Sequence, residues 1–323
     1  MEHASMKHVL VTGATGFVAA TTIPALQRAG WTVTGALWQP GDAAQLPPGC
    51  RSVVVGDIGP GTDWTAALAG VQAVVHLAAR VHQDERGPAA DAAHTRVNTQ
   101  GTAVLAAAAA RAGVSRFVYL SSVKAIGGAS PRGRPWTEAT PCSPPDAYGS
   151  SKLAAEQALA ALGETAGLSW CALRPPLVYG PGVRANLDRL QRLILAGRWL
   201  PVGGVTNRRS LIFVGNLADL IVRVVERPDI NGAFVVRDGE DLSTPELARR
   251  LGAALGRPAR LLPVPVRVLE TAARTAGRSR LVERLFGDLA VDDTLLRSRL
   301  EWTPPFTVDE GLRAMAAAVR RGR

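Results

Sequence analysis

Val9-Leu10-Val11-Thr12-Gly13-Ala14-Thr15-Gly16-Phe17-Val18-Ala19 is an apolar run that breaks at two glycines and resumes at helical spacing. A strand, a glycine turn and a helix in that order bring backbone N–H groups at a helix start over a spot that the bare glycine backbone lets an anion approach. A dinucleotide pyrophosphate needs that arrangement. Gly13, Thr15, Gly16, Phe17 and Val18 are the candidate contacts. Ala19 stands where a third glycine is usual, and is small enough for the helix to pack closely against the strand.

Around this unit the N-terminal half alternates β-rich runs with helix-like segments, the pattern of an α/β protein with a doubly wound, Rossmann-type parallel sheet. Strands are expected at 7–12, 32–37, 52–55, 73–77, 116–120 and 169–173, and helices at 17–29, 64–69, 93–112 and 148–164. Residues 127–147 are rich in Pro, Gly, Ser and Thr and read as a long ordered surface loop, a kind that is usually functional. After Arg174 the connections become rich in Pro and Arg, with helices expected near 187–196, 216–226, 244–255 and 308–319. The economical division is a dinucleotide-binding domain over 1–173, to which 211–238 return, and a smaller interleaved substrate lobe of 174–210 and 239–323.

A chain of 323 residues, 47% hydrophobic, can bury a substantial core. It contains no run of about 18 apolar residues and its first residues lack the pattern of a signal peptide, so a cytoplasmic protein without a membrane span is expected. Met6 is an alternative start, which would make Met1 to Ser5 an added remnant. Cys50, Cys142 and Cys171 are odd in number and widely spaced, and read as ordinary thiols. His3, His8, His76, His82 and His94 show no ligand spacing, so no metal is expected, and His76 reads as a packed side chain. The net charge of +10 comes from arginine spread along the chain and not gathered into a basic arm, which argues against nucleic acid as a partner. Asp84-Glu85-Arg86 reads as a solvated loop.

At the end of the second expected strand an acid would bind the ribose hydroxyls of NAD. Leu37-Trp38-Gln39 supplies none, which leaves NAD and NADP both open with a lean to NADP(H). Asp57, followed by Ile58, lies after the third strand and could accept from an adenine amino group or simply cap its loop. Tyr148 and Lys152 are four residues apart at a helix start, so both project from one face. An ammonium beside a phenol is expected to draw the tyrosine below its usual pKa of about 10 and make it an acid/base near neutral pH. Ser122, just past the strand at 116–120, could hydrogen-bond the same substrate oxygen, with Ser121 as its rival.

TGATGF at 12–17, HLAA at 76–79, NTQGT at 98–102, YLSS at 119–122, YGSSK at 148–152 and RPPLVYGPG at 174–182 occur in one order, and in that order the chain resembles the extended short-chain dehydrogenase/reductase family. RRSLIFVGNLADLI and LEWTPPFTVDEGL further on are also similar. The resemblance implies a nicotinamide cofactor touched by Leu77, Ala78, Ala79, Asn98 and Pro175 as well as the glycine turn, Trp38, Asp57 and Ile58. It implies Tyr148 as the proton carrier, Ser122 holding the reacting oxygen, and Lys152 binding the nicotinamide ribose while tuning Tyr148. It implies a homodimer through the helices at 93–112 and 148–164.

SSVKAIGG at 121–128 and NRRSLIFVGNLADL at 207–220 are most similar to the nucleotide-sugar branch, which implies a UDP-sugar reacting at C4, by epimerisation or by reduction of a 4-keto-6-deoxy sugar. Arg209 matches an arginine kept on the nucleotide diphosphate, a role that suits a guanidinium. Lys124 is a candidate substrate contact, and Asn186 either binds phosphate or caps its helix. Val123-Lys124 replaces the Asp-Glu pair of 4,6-dehydratases and disfavours that reaction. Ile126 replaces the aromatic common in epimerases and tilts the choice slightly to a 4-keto reductase. The other readings are a dehydrogenase for a hydrophobic ketone or alcohol and a non-catalytic dinucleotide sensor, against which an intact Tyr/Lys pair argues.

Overall fold

The computed structural model describes residues 7–81, 87–184, 186–275 and 286–321. His3, His82, Asp84-Glu85-Arg86 and the Met1–Met6 start lie outside the described residues. Twelve strands are present among the described residues: β1 His8–Thr12, β2 Thr32–Leu37, β3 Arg51–Val54, β4 Ala73–His76, β5 Arg116–Leu120, β6 Trp170–Arg174, β7 Leu177–Tyr179, β8 Trp199–Leu200, β9 Arg209–Phe213, β10 Gly232–Val235, β11 Asp241–Leu242 and β12 Arg260–Leu261. Seven form one sheet in the order β10-β6-β5-β4-β1-β2-β3, and all its pairs are parallel. A smaller sheet runs β11-β9-β7, and β12 pairs with β8.

A parallel sheet covered on both faces needs strands that are apolar throughout. Val9, Leu10 and Val11 of β1, Val74 and Val75 of β4, and Phe117 and Val118 of β5 are all buried. One face is covered by the helices α1 Ala19–Arg28 and α6 Val214–Val225, whose Ile23, Leu26, Leu217, Leu220, Ile221 and Val224 join one apolar cluster. The other face lies under α3 Thr102–Arg111 and α4 Ala147–Ala166, with Leu105, Ala109, Ala155 and Leu159 in a second. In a third cluster Leu187 and Ile194 of α5 Asn186–Leu195 join Leu251 and Leu255 of α7 Thr244–Leu255 and Leu312 and Met315 of the helix Val308–Arg321.

The expected helix at 64–69 is absent. The segment is a set of turns with one i→i+4 bond, Leu68 N to Trp64 O at 3.0 Å, closed by Gly70 at φ +68°. Six residues cannot offset the cost of nucleating a helix, although Trp64 and Leu68 are buried. The helix expected at 93–112 is longer and built of three segments: α2 Pro88–His94, a π-helical stretch Thr95–Gly101, and α3. Strand and helix ends elsewhere shift by at most two residues, the usual fraying of boundaries.

The chain passes three times between the large sheet and the sheet β11-β9-β7, and Asp238 pins the last crossing. Its carboxylate accepts from Tyr179 Oη at 2.7 Å, from Phe213 N at 2.8 Å and from Asn216 Nδ2 at 2.8 Å. Asn216 in turn bonds both backbone groups of Phe306. Removing a buried, multiply bonded carboxylate orphans each donor. Asp238→Ala is therefore expected to lower unfolding stability by about 3 kcal/mol, read as a lower urea midpoint at unchanged slope.

Candidate active site

The order of the large sheet reverses between β1 and β4, and at such a switch point the carboxyl ends of the strands open a crevice for a ligand. Gly13 stands at its floor with φ +65°, and a Cβ there would lie 2.8 Å from Ala78 N and 2.9 Å from Ala78 Cα. Gly16 N closes the turn on Gly13 O at 2.9 Å. Helix α1 follows with no side-chain cap at Val18 and no acid in its first turn. Its positive end is open to an anion. A nicotinamide dinucleotide fits this end of the sheet, since the glycines admit its pyrophosphate and, among the described residues, no side chain caps the helix start.

A hydrogen-bonded chain of buried groups runs from this turn to the helix of Tyr148. Thr12 Oγ1 meets His76 Nδ1 at 2.6 Å, and His76 Nε2 meets Thr102 Oγ1 at 2.8 Å. Thr102 Oγ1 donates to Asn98 O at 2.6 Å. Asn98 Nδ2 donates to Ser151 Oγ at 3.0 Å, and Ser151 Oγ donates to Tyr148 O at 2.8 Å. Asn98 also binds Arg80 N and Arg80 O, so its side chain fastens the loop after β4 instead of bonding its own helix backbone. His76 is fully buried, which pulls it down to about 3 and keeps it neutral.

Tyr148 and Lys152 lie in the first turns of α4, whose start is capped by Asp146 Oδ1 accepting from Gly149 N at 2.9 Å. The Lys152 ammonium is buried. It donates to Leu120 O at 2.7 Å and sits 4.5 Å from the ring centre of Tyr119 and 5.9 Å from that of Tyr148. The Ser122 hydroxyl lies beside that of Tyr148 and favours its ionised form. Ser121 is turned away: its Oγ donates to the buried Glu156 at 2.5 Å. Lys124 Nζ is 5.9 Å from the Tyr148 ring centre and pairs with Asp146 Oδ2 at 2.6 Å, and the His94 ring meets Tyr148 edge-on at 5.9 Å.

The expected lowering of Tyr148 is not found. Burial pushes its phenol up to about 12, against the smaller pull of Ser122, and Asp146 adds to the rise. Burial draws Lys152 down to about 7, opposed by Glu156. Desolvation is the largest cause for both groups, and residue spacing cannot reveal it.

The remaining candidates are spread more widely. Leu77 and Ala78 form the wall against Gly13, and Pro175 O accepts from Val123 N at 3.0 Å behind Ser122. Ile58 packs against Gly101 of the π-helical stretch. Asp57 is exposed and paired with Arg96 at 2.7 Å, and Trp38 is 67% exposed at the end of β2. Arg209 is largely buried, its Nη1 donating to Gly287 O at 2.9 Å, beside a cavity of about 390 Å³ lined by Ser130, Arg132, Thr206, Asn207, Gly287 and Asp288. Asn186 is the exposed first residue of α5. The sequence reading missed Glu156 and Arg174, a buried ion pair at 2.6 Å one helical turn below Lys152. Their signal was a Glu four residues after the lysine on a helix face otherwise apolar. Among the described residues no cluster of His, Cys, Asp and Glu could hold a metal ion, no helix is long and apolar enough to cross a membrane, and the three cysteines are free.

Residues 9–236 match the NAD dependent epimerase/dehydratase family, and the chain belongs to it. It is an NAD-dependent enzyme of the extended short-chain dehydrogenase/reductase type. UDP-glucose 4-epimerase of Vibrio cholerae is 39% identical over 97% of this chain and 95% of its own. Among solved structures, UDP-N-acetylglucosamine 4-epimerase from Bacillus cereus superposes over 97% of this chain and 99% of its own at 21% identity with a TM-score of 0.80. MoeE5 in complex with UDP-glucose and NAD covers 98% and 99% at 27% identity with a TM-score of 0.76.

Gly13→Ala puts a methyl group against backbone that cannot yield and holds alanine in a left-handed conformation. The variant is expected to bind NAD at least tenfold more weakly, measured by calorimetric titration.

Proposed function

We propose that this chain is a UDP-sugar 4-epimerase that holds NAD. The observation that carries the proposal is Tyr148 standing beside Ser122 and flanked by the Lys152 ammonium, at the same end of the sheet as the Gly13 turn. The 39% identity to the Vibrio cholerae UDP-glucose 4-epimerase along nearly the whole chain supports the substrate class and the reaction. MoeE5, solved with UDP-glucose and NAD, supports the same pairing of ligands.

NAD, when bound, accepts a hydride from the sugar and returns it. Tyr148 Oη takes the proton of the 4-hydroxyl as C4 is oxidised, and gives it back to the same oxygen after the sugar has presented its other face. Ser122 Oγ holds that oxygen in line with the phenol. The Lys152 ammonium stabilises the phenolate in a setting that by itself disfavours it. Arg209, with Arg132 across the neighbouring cavity, supplies guanidinium charge for the diphosphate, and Lys124 stands on the substrate side of Tyr148.

The tilt to a 4-keto reductase loses its physical basis. Ile126 is packed in an apolar cluster with Val123, Trp136, Val235 and Val291, so the side chain at this position reads the core and not the sugar. The lean to NADP(H) rested on the missing acid at Leu37-Trp38-Gln39, whereas solved relatives hold NAD, and NAD is the cofactor proposed here. A homodimer belongs to the same reading. Helix α3 offers the half-buried Ala103, Val104, Ala107 and Ala108 and no charge before Arg111, a face suited to a second copy.

Purified protein with added NAD is expected to interconvert UDP-glucose and UDP-galactose. Tyr148→Phe should lower that rate by about 10² to 10⁴-fold while NAD stays bound. Full activity in the variant would remove Tyr148 from its role. Consumption of NADH or NADPH by a 4-keto sugar without epimerisation would turn the assignment to reduction.

A further inference from the structure

Directly beneath Lys152 lies a second set of buried polar groups that the mechanism above does not use. Glu156, one turn further along α4, is 3% exposed. Its carboxylate receives Arg174 Nη2 at 2.6 Å and Arg174 Nε at 3.0 Å, and the Ser121 hydroxyl at 2.5 Å. Three elements therefore meet on one carboxylate: the end of β5, the end of β6 and the helix that carries Tyr148. Arg174 reaches on to Cys142 Sγ at 3.7 Å, in the loop between Ser122 and Tyr148.

We propose that Glu156 is a positioning residue that keeps Lys152 charged and holds Ser122 opposite Tyr148. The inference rests on Tyr148 and Lys152 being the acid/base pair. Lys152 has one hydrogen-bond acceptor, a backbone carbonyl, and an aromatic face, which together are poor compensation for a buried ammonium. The groups facing it are Tyr119 from β5, His76 from β4, and Tyr148 and Glu156 from its own helix. His76 stays neutral and both phenols stay protonated, so Glu156 is the anion among them. Arg174 across the carboxylate and Lys124 beyond Tyr148 are cations, which makes the Glu156 charge the more necessary. The Ser121 bond has a separate consequence. Ser121 and Ser122 are neighbours, so fixing the first on α4 sets the direction of the second.

The composition makes a direct test practical. The chain has three lysines, Lys7, Lys124 and Lys152, and three tyrosines, Tyr119, Tyr148 and Tyr179. Burial and neighbouring acids hold Tyr119 and Tyr179 well above the usual range, so Tyr148 ionises first. In protein with NAD bound and no sugar present, side-chain lysine NMR over a pH series reads Lys152, assigned with Lys152→Arg. Absorbance at alkaline pH reads Tyr148, with Tyr148→Phe as the blank.

Glu156→Gln keeps the acceptor for Ser121 and removes the charge. It should move the Lys152 midpoint down by about one pH unit and the Tyr148 midpoint up. Arg174→Gln leaves Glu156 less neutralised and should move Lys152 the opposite way, so either variant alone decides the sign should the other fail to fold. Ser121→Ala should leave the Lys152 midpoint in place and lower kcat, with little effect on KM. A Lys152 midpoint unmoved, or moved the other way, in folded Glu156→Gln or Arg174→Gln overturns the proposal. Because no sugar enters the titration, failure to epimerise UDP-hexoses would count against the proposed reaction and not against this charge arrangement.

Discussion

Everything at the cofactor end of the sheet depends on how closely the turn after β1 approaches the turn after β4. Gly13 touches the Ala78 backbone, and Thr12 Oγ1 accepts from Ala78 N at 3.2 Å. That same hydroxyl also meets His76. The directions of this chain can be worked out from its far end. Thr102 spends its one proton on Asn98 O, so it accepts from His76 Nε2–H. His76 is neutral, so its Nδ1 accepts, and Thr12 donates to it. One tautomer satisfies every partner. A protonated imidazole would turn Nδ1 into a donor and take from the Thr12 hydroxyl the acceptor for its own proton, which is a further reason for His76 to remain neutral.

The chain of bonds then crosses to α4 through Asn98, and the π-helical stretch is what allows it. A wider turn at Thr95–Gly101 places the Asn98 amide within reach of Arg80 on one side and Ser151 on the other. Such widenings commonly mark functional sites. The glycine turn and the tyrosine helix are thereby parts of one hydrogen-bonded frame, and the crevice at Gly13 and the start of α4 keep a fixed relation.

The sequence made the large sheet legible because its central strands are buried on both faces and read as unbroken apolar runs, as Val9 to Val11 and Ala73 to Val75 do. The glycine turn was legible for a similar reason, since only a special backbone demands that residue. Segment 64–69 misled because burial of Trp64 and Leu68 produces helical spacing without a helix. Ile126 misled because identity at a position does not tell which way its side chain faces. The ionisation of Tyr148 was beyond the sequence altogether: it depends on how much solvent is lost, and the spacing of Tyr148 and Lys152 carries only the attraction between them.

The use of lysine in this chain bears on the same point. Basic residues are overwhelmingly arginine, yet two of the three lysines face the Tyr148 ring. A guanidinium at position 152 would need several acceptors in one plane, and it cannot shed its proton in a protein. The space above Tyr119 offers one carbonyl and an aromatic face, which suit the compact ammonium. Lysine also titrates when buried, so its charge becomes a quantity the surrounding groups can set. Arginine occupies position 174, where the task is to saturate a carboxylate through two nitrogens. The two cations thus divide the work according to their chemistry: one is fixed in charge and anchors the frame, and the other is adjustable and stands beside Tyr148.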